Sequence, residues 1–164
     1  MGVTYTQGTD VAALEPGELS ARLESVVAAA MVWLGALSDA RASVPESAGK
    51  WSGKQVIGHL TDSAVNNLGR IVRMQIAPGL KLLGYEQNEW VALQHYSERE
   101  WAKVLEVWVM LNGHVAWNVA HVDKTKLTNT ADVEGSELTL GFLIEDYIAH
   151  MEHHLRAMQG WLAD

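Results

Sequence analysis

The chain of 164 residues contains no cysteine. Disulfide bonds, thiolate metal sites and a cysteine nucleophile are therefore excluded, and any thiol chemistry must use a thiol that arrives on a small molecule. Histidine is then the main side chain left with which the protein could bind a transition metal.

Positive charge is also scarce. The chain has 12 Lys and Arg residues against 20 Asp and Glu residues, which gives a formal net charge of -8. Neutralising the phosphates of a nucleic acid needs a surplus of Lys and Arg, so we expect no nucleic-acid partner.

Long apolar runs are missing as well. No stretch approaches the roughly 18 uninterrupted apolar residues of a membrane span, and residues 1–10 lack the basic and apolar regions of a signal peptide. We therefore expect a cytoplasmic protein with no membrane partner. With 48% hydrophobic and 20% charged residues, the composition predicts one soluble globular domain over residues 1–164.

Residues 1–15 show no sustained hydrophobic period and are expected to form a loose N-terminal arm. A first helix is predicted from Pro16 to about Ala42, because its apolar residues recur at steps of three and four. The seven tryptophans of the chain indicate either a lined pocket or dimer face, or a well-filled core.

The second helix has a well-specified start. Ser52 and Gln55 form a capping box, and Trp51 and Val56 occupy the positions of a hydrophobic staple. This helix should begin at Gly53 and stop at residues 77–79, where proline disfavours helical geometry in the preceding residue.

The same device predicts the third helix. Ser97 and Glu100 have capping-box spacing, and the apolar period that follows continues to about Ala120. Residues 123–135 are polar and irregular, and a fourth helix runs from about Thr139 to Leu162. Four amphipathic helices without a strand signal predict an all-α protein, a four-helix bundle.

About twenty residues, 77–96, join the second and third helices, which is more than a tight antiparallel turn requires. A crossover there would make those two helices parallel and the second and fourth antiparallel. This topology agrees with the histidines. His59 lies about seven residues from the start of the second helix and His154 about eight from the end of the fourth, depths that match only between antiparallel helices.

His150 and His154 are four residues apart, so a helix projects both imidazoles from one side. With His59 at matching depth, the three could share one ion and leave a position open, as catalytic centres do. The alternative is that these histidines are hydrogen-bonded core residues. His114 and His121 could replace a ligand if the helix register differs, although an exposed face suits them better.

Polar residues continue along the second helix from His59. Ser63 and Asn67 follow at steps of four, where a helix facing a dry core would be apolar. They could border the metal cavity and bind substrate, or lie where the helix edge turns to solvent. Asp146, one turn before His150, and Asp62 could accept a hydrogen bond from the second nitrogen of an imidazole.

Three segments resemble the DinB/YfiT-like superfamily of bacterial four-helix proteins. Residues 50–63 look like the family's Trp-Ser start of helix two with its His-Leu pair, and residues 139–155 look like its closing Tyr-x-x-His-x-x-x-His segment. Residues 84–90 are similar to a short crossover motif of the YfiT-like branch. The likeness extends over most of residues 17–162.

The resemblance implies a bundle with a long crossover, homodimers, and a divalent metal such as Zn or Ni on His59, His150 and His154. Characterised members of the family include S-transferases that use bacillithiol or mycothiol, a mycothiol-dependent maleylpyruvate isomerase and proteins named as metal-dependent hydrolases.

Three hypotheses about function follow. The first is a metal-dependent S-transferase that activates a low-molecular-weight thiol for reaction with a small-molecule substrate. The second is a metal-dependent hydrolase that uses a water molecule on the metal, although the sequence identifies no general base for it. The third is a non-catalytic bundle whose histidines have a structural role.

Overall fold

The computed structural model describes residues 4–6 and 8–162. Within these residues, no helix is long and apolar enough to cross a membrane. The elements in chain order are α1 (Pro16–Leu34), α2 (Asp39–Ala42), α3 (Gly53–Ile76), β1 (Leu80–Leu82), α4 (Gln87–Leu93), α5 (Trp101–Ala120), β2 (Thr130–Val133), β3 (Ser136–Thr139) and α6 (Leu140–Leu162).

The four long helices, α1, α3, α5 and α6, form the predicted four-helix bundle around one apolar core. Asp39 shows how two of them run. Its Oδ2 accepts a hydrogen bond from Lys54 Nζ at 2.9 Å, and its Oδ1 accepts one from the Trp101 backbone N–H at 2.7 Å. Because Lys54 and Trp101 stand at the starts of α3 and α5, these helices are parallel, as the crossover predicted.

Contacts at both ends of α3 show that α6 runs in the opposite direction. A Cβ placed on Gly53 would lie 3.0 Å from Leu162 Cδ1, so the start of α3 adjoins the end of α6. At the other end, the Met74 carbonyl accepts a hydrogen bond from Asn129 Nδ2 at 2.7 Å, and Leu140, the first residue of α6, donates its N–H to the Asn129 carbonyl. The antiparallel arrangement of these two helices is therefore confirmed.

The capping box that starts α3 is confirmed, since Ser52 Oγ accepts the Gln55 N–H and Gln55 Oε1 accepts the Ser52 N–H. The second predicted box is wrong. Residues Tyr96–Glu98 form a 3₁₀ turn, and α5 starts after Glu100 without a side-chain cap. The Trp101 N–H, one of the first N–H groups of α5 that have no partner within the helix, donates to the distant Asp39 carboxylate.

The first helix was predicted too long. It ends at Leu34, and after a break at residues 35–38 the short helix α2 begins. The break has a local cause, because Ser38 is extended (φ -71°, ψ 157°) and its hydroxyl accepts the Arg41 N–H as a new N-cap. The pattern of apolar residues continued through Ala42 and concealed this second start.

The bundle also carries a small sheet that no pattern in the sequence indicated, with its strands in the order β1, β2, β3. β1 pairs with β2 in parallel, and β2 pairs with β3 in antiparallel through a turn with positive φ at Glu134 and Gly135. Strands of three or four residues are too short to display an alternating pattern. The sheet ties the crossover to the segment that leads into α6.

Part of the predicted loose arm is held against α6. The backbone N–H groups of Tyr5 and Thr6 both donate to Asp146 Oδ1, at 2.6 and 2.9 Å. Further along, Val11–Ala13 form a 3₁₀ turn that Asp10 caps. The prediction of a loose arm is therefore wrong for these residues. Residues 1–3 and 7, to which the prediction also applied, lie outside the part of the chain that the structure describes.

A close contact between α3 and the crossover yields a test of this packing. A Cβ on Gly58 would lie 2.1 Å from Tyr96 Cδ2, so Gly58→Ala must displace the buried tyrosine ring. We expect it to lower the free energy of unfolding by about 1–3 kcal/mol, the usual cost of overpacking.

Gly69 in the same helix is the matched control, because no atom lies within 4 Å of its added Cβ. There Gly69→Ala should raise the free energy of unfolding by about 0.5–1 kcal/mol through helix propensity. Urea unfolding of both variants measures the difference. Equal stability of Gly58→Ala and wild type would contradict the contact.

Candidate metal centre

Three histidines come together between α3 and α6. His59 on α3 is completely buried, while His150 and His154 on α6 are partly exposed. The antiparallel packing brings the second turn of α3, which carries His59, level with the middle of α6, where His150 and His154 lie one turn apart. The rings pack edge to face, with centroids 5.1 Å apart for His59 and His150, 4.9 Å for His59 and His154, and 4.6 Å for His150 and His154.

The nitrogen atoms are spaced as the ligands of one ion would be. One ring nitrogen from each histidine lies within 4.8 Å of the other two, and the Nε2 atoms of His59 and His150 are 3.1 Å apart. Two nitrogens bound to a tetrahedral zinc at 2.0–2.1 Å are separated by about 3.3 Å. The donor set therefore fits a divalent transition metal.

Burial keeps these imidazoles uncharged. Loss of solvent is the main cause, and repulsion from neighbouring histidines adds to it; together they lower the pKa of His59 to about 4, that of His150 to about 3 and that of His154 to about 4. A neutral imidazole has the free lone pair that a metal requires. At neutral pH the cluster is therefore ready to bind a cation without losing protons first.

One nitrogen of the cluster has no partner in the part of the chain that the structure describes. His59 Nδ1 is buried without a hydrogen bond, beneath the Trp51 ring at a centroid distance of 5.1 Å. If Nε2 binds a metal, Nδ1 carries the proton. The predicted acceptor, Asp62, is also buried on α3, but its Oδ1 accepts hydrogen bonds from Tyr96 and Gln94 and its Oδ2 has no partner.

Asp146 has a role that differs from the predicted one. Its Oδ1 accepts the backbone N–H groups of Tyr5 and Thr6, and among residues 4–6 and 8–162 it accepts no hydrogen bond from an imidazole. The carboxylate therefore anchors the N-terminal segment beside the cluster. Desolvation raises the pKa of Asp146, while these two N–H groups oppose the rise.

Ser63 and Asn67 lie where the sequence placed them, at the border of a cavity that His150 also lines. This polar cavity has a volume of about 370 Å³, and Arg70, Tyr85 and Asp146 contribute to its wall. Asn67 Nδ2 donates a hydrogen bond to the Ser63 carbonyl at 2.9 Å, so the carboxamide oxygen of Asn67 can accept a hydrogen bond from another group. The helix therefore turns its polar side to a cavity and not to bulk solvent.

Sequence reasoning missed Tyr5, which covers the cluster from the N-terminal segment. Its ring centroid is 5.1 Å from that of His150 and 4.9 Å from that of His153. Desolvation is the main cause that raises the pKa of the Tyr5 phenol. Residues 1–15 show no hydrophobic period from which this position could be predicted. The hydrogen bond that holds the Tyr5 backbone here is accepted by Asp146, 141 positions away.

The other histidines considered as ligands do not belong to the cluster. His153 is exposed, although its ring centroid lies 5.5 Å from that of His154. His114 on α5 and His121, which caps the end of α5, are also exposed. His114 is hydrogen-bonded to Asn118, and His121 donates to the Trp117 carbonyl. The helix register used to select His59, His150 and His154 was therefore right.

Comparison with known proteins places the fold. A model of the DinB superfamily matches residues 21–158. The structure of YfiT from Bacillus subtilis, described as a probable metal-dependent hydrolase with an unusual four-helix bundle topology, superposes with a TM-score of 0.81. The match covers 89% of this chain and 85% of YfiT at 19% sequence identity, which establishes a shared fold.

No curated protein matches the chain. The superfamily model nevertheless spans most of its length, and the helices that carry the three histidines lie within the matched range or overlap it. The chain belongs to the DinB superfamily.

Proposed function

We propose that this protein is a metal-dependent S-transferase. In this proposal His59, His150 and His154 hold one divalent cation, Zn or Ni, and a low-molecular-weight thiol reacts with an electrophilic small molecule beside it. The observation that carries the proposal is the convergence of three neutral imidazoles, with ligand atoms within 4.8 Å of one another, next to a polar cavity. The family resemblance supports a homodimer as the working form.

Three protein ligands leave a coordination position open, where a bound cation supplies Lewis acidity and lowers the pKa of a thiol or of water. The transfer itself is a substitution at carbon. The thiol gives its proton to solvent, the sulfur lone pair forms the new S–C bond, and the leaving group departs with the electron pair of the broken bond. Ser63, Asn67 and Arg70 supply polar groups that can orient a charged or polar thiol in the cavity.

The carboxylates beside the cluster favour this reaction over hydrolysis. Hydrolysis needs a base that removes a proton from the attacking water. On α6, however, Asp146 accepts two backbone N–H groups, Glu152 accepts Arg22 at 2.8 Å, and Glu145 accepts the Thr9 hydroxyl. Each of these three carboxylates already accepts a hydrogen bond. Asp62 on α3 keeps one oxygen without a partner, but its other oxygen is held by Tyr96 and Gln94 of the crossover. A thiol of low pKa needs no such base.

A metal-dependent hydrolase is the second candidate. The description of YfiT favours it, because that protein shares the fold over most of both chains. Turnover of an ester or amide by the metal-loaded protein without any added thiol would identify this candidate.

Metal analysis tests the site. Untagged protein should contain about one divalent transition-metal ion per chain, and His59→Ala, His150→Ala and His154→Ala should each weaken binding by more than about 100-fold, since loss of an outer-shell group alone costs 10–100-fold. Elemental analysis and competition with a chelator measure this.

His153→Ala is the matched control, because His153 adjoins His154 but is exposed and outside the cluster. It should keep its metal. Full metal content in all three cluster variants would refute the site, and metal-free wild-type protein would favour a purely structural histidine cluster.

A thiol screen tests the reaction. The metal-loaded protein with a low-molecular-weight thiol and chlorodinitrobenzene should release chloride and form the thioether faster than the uncatalysed mixture. His154→Ala should lose at least about 100-fold of that rate, because a transition-state interaction of about 3 kcal/mol is removed. A metal-loaded protein that is inert towards a full range of thiols but cleaves esters would overturn the S-transferase proposal.

The buried, uncharged imidazoles of the cluster should make the metal-free protein sensitive to acid. Below pH 6.5 these imidazoles take up protons in the unfolded chain, whereas the folded protein, with pKa values of about 3 to 4, does not. Stability is therefore fully present above pH 6.5 and falls as the pH drops towards 4. Urea unfolding at constant ionic strength should show a flatter decline for His59→Gln than for wild type; parallel curves would contradict the lowered pKa.

A further inference from the structure

A second cavity, of about 510 Å³, adjoins the histidine cluster and shares no lining residue with the polar cavity. We call it the tryptophan cavity. It is lined by Trp51, Val56, Ala157, Met158 and Trp161, with His153 and His154 on one wall and Glu46, Gly49, Lys50 and Asn88 at its rim.

The two cavities lie on either side of the cluster along the helix axes. In α3 the polar cavity uses residues after His59, such as Ser63 and Asn67, whereas the tryptophan cavity uses the preceding segment, Trp51 and Val56. On α6 the polar cavity uses residues 142–150 and the tryptophan cavity residues 153–161. Because α3 and α6 are antiparallel, the histidine cluster lies between the two spaces and borders both, through His150 on one side and His154 on the other.

The cavities also differ in chemistry. The polar cavity contains Arg70, whose Nη2 donates to the Leu83 carbonyl at 2.8 Å, and the Ser63 and Asn67 side chains. The tryptophan cavity instead contains two partly exposed indole rings and a thioether, with charged groups only at its rim. Indole faces and methionine sulfur favour flat aromatic ligands.

We propose that the tryptophan cavity binds the electrophile, an aryl or similarly flat apolar compound, while the polar cavity binds the thiol. This assignment rests on the proposed S-transferase function and deepens it. A reaction of two substrates needs two spaces that meet at one centre, and His150 and His154 each face one of them.

The arrangement suits the bond changes of the transfer. The sulfur approaches from the side of His150, and the electrophilic carbon approaches from the side of His154. The new S–C bond forms at the cluster, the C–Cl bond of an aryl chloride breaks, chloride leaves with the electron pair, and the thiol proton passes to solvent. A cavity of about 510 Å³ is within the range of 300–1,000 Å³ typical of small-molecule sites.

The test measures binding to metal-free protein, so that it does not depend on turnover. Dinitrobenzene, which lacks the leaving group, is the probe, and equilibrium dialysis gives its dissociation constant. Trp161→Ala should weaken binding by about tenfold, because one face of the ring loses its aromatic contact. Ala157→Trp, at an exposed helix position, should fill the cavity and weaken binding at least as much.

Matched controls separate the cavity from general effects. Trp117→Ala removes an indole that is 65% exposed on α5, and Ala102→Trp adds one at an exposed position of the same helix. Neither residue lines a cavity described above, so both variants should bind the probe as wild type does. Circular dichroism confirms that each variant is folded.

Two results would overturn the assignment. In one, wild type binds the probe, Arg70→Leu and Asn67→Leu weaken that binding, and Trp161→Ala and Ala157→Trp leave it unchanged. That pattern would place the electrophile in the polar cavity. In the other, wild type does not bind the probe at all. Both results differ from a failure of the proposed function. In that case the probe would bind with the expected pattern among the variants, but no thiol would form a thioether.

Discussion

The packing of three uncharged imidazoles between α3 and α6 is the constraint on which the rest of the structure depends. Their ring centroids lie 4.6–5.1 Å apart. If two of the rings became imidazolium cations, like charges would be in contact where little water can screen them. Such a group is stable only when it is neutral or when it surrounds a cation. It is consistent with one register of the two helices, in which the start of α3 at Gly53 lies against Leu162 at the end of α6.

The buried polar side of α3 is compatible with this register because the helix supplies most of its own partners. Thr61 donates to the Ile57 carbonyl, Asn66 to the Asp62 carbonyl and Asn67 to the Ser63 carbonyl, each one turn back. Such side chains need no partner from a neighbouring helix and can therefore border a cavity. Asp62 differs, since Tyr96 and Gln94 reach it from the crossover and so connect that segment to the turn that follows His59.

The sequence predicted those features that depend on local spacing. The i, i+4 histidine pair, the depth of His59 and the Ser52 capping box are set by helix geometry within a few turns, and the structure contains all three. The features that it could not predict depend on distant partners. The start of α5 uses Asp39, 62 positions upstream, and Tyr5 lies beside His150 while its backbone N–H is bound by Asp146, 141 positions away. The short strands likewise exist through pairing between the crossover and residues 130–139.

A protein that carried out the proposed reaction would have to avoid reacting with its own electrophile, and several features of this chain would meet that demand. It contains no cysteine, the most nucleophilic side chain, so the thiol of the proposed reaction is supplied from outside and leaves with the product. Neutral imidazole is the next nucleophile to consider. His59 is fully buried, and a cation shared with His150 and His154 would occupy the lone pairs that alkylation requires. The same coordination that activates a thiol would thus protect the ligands on which it depends.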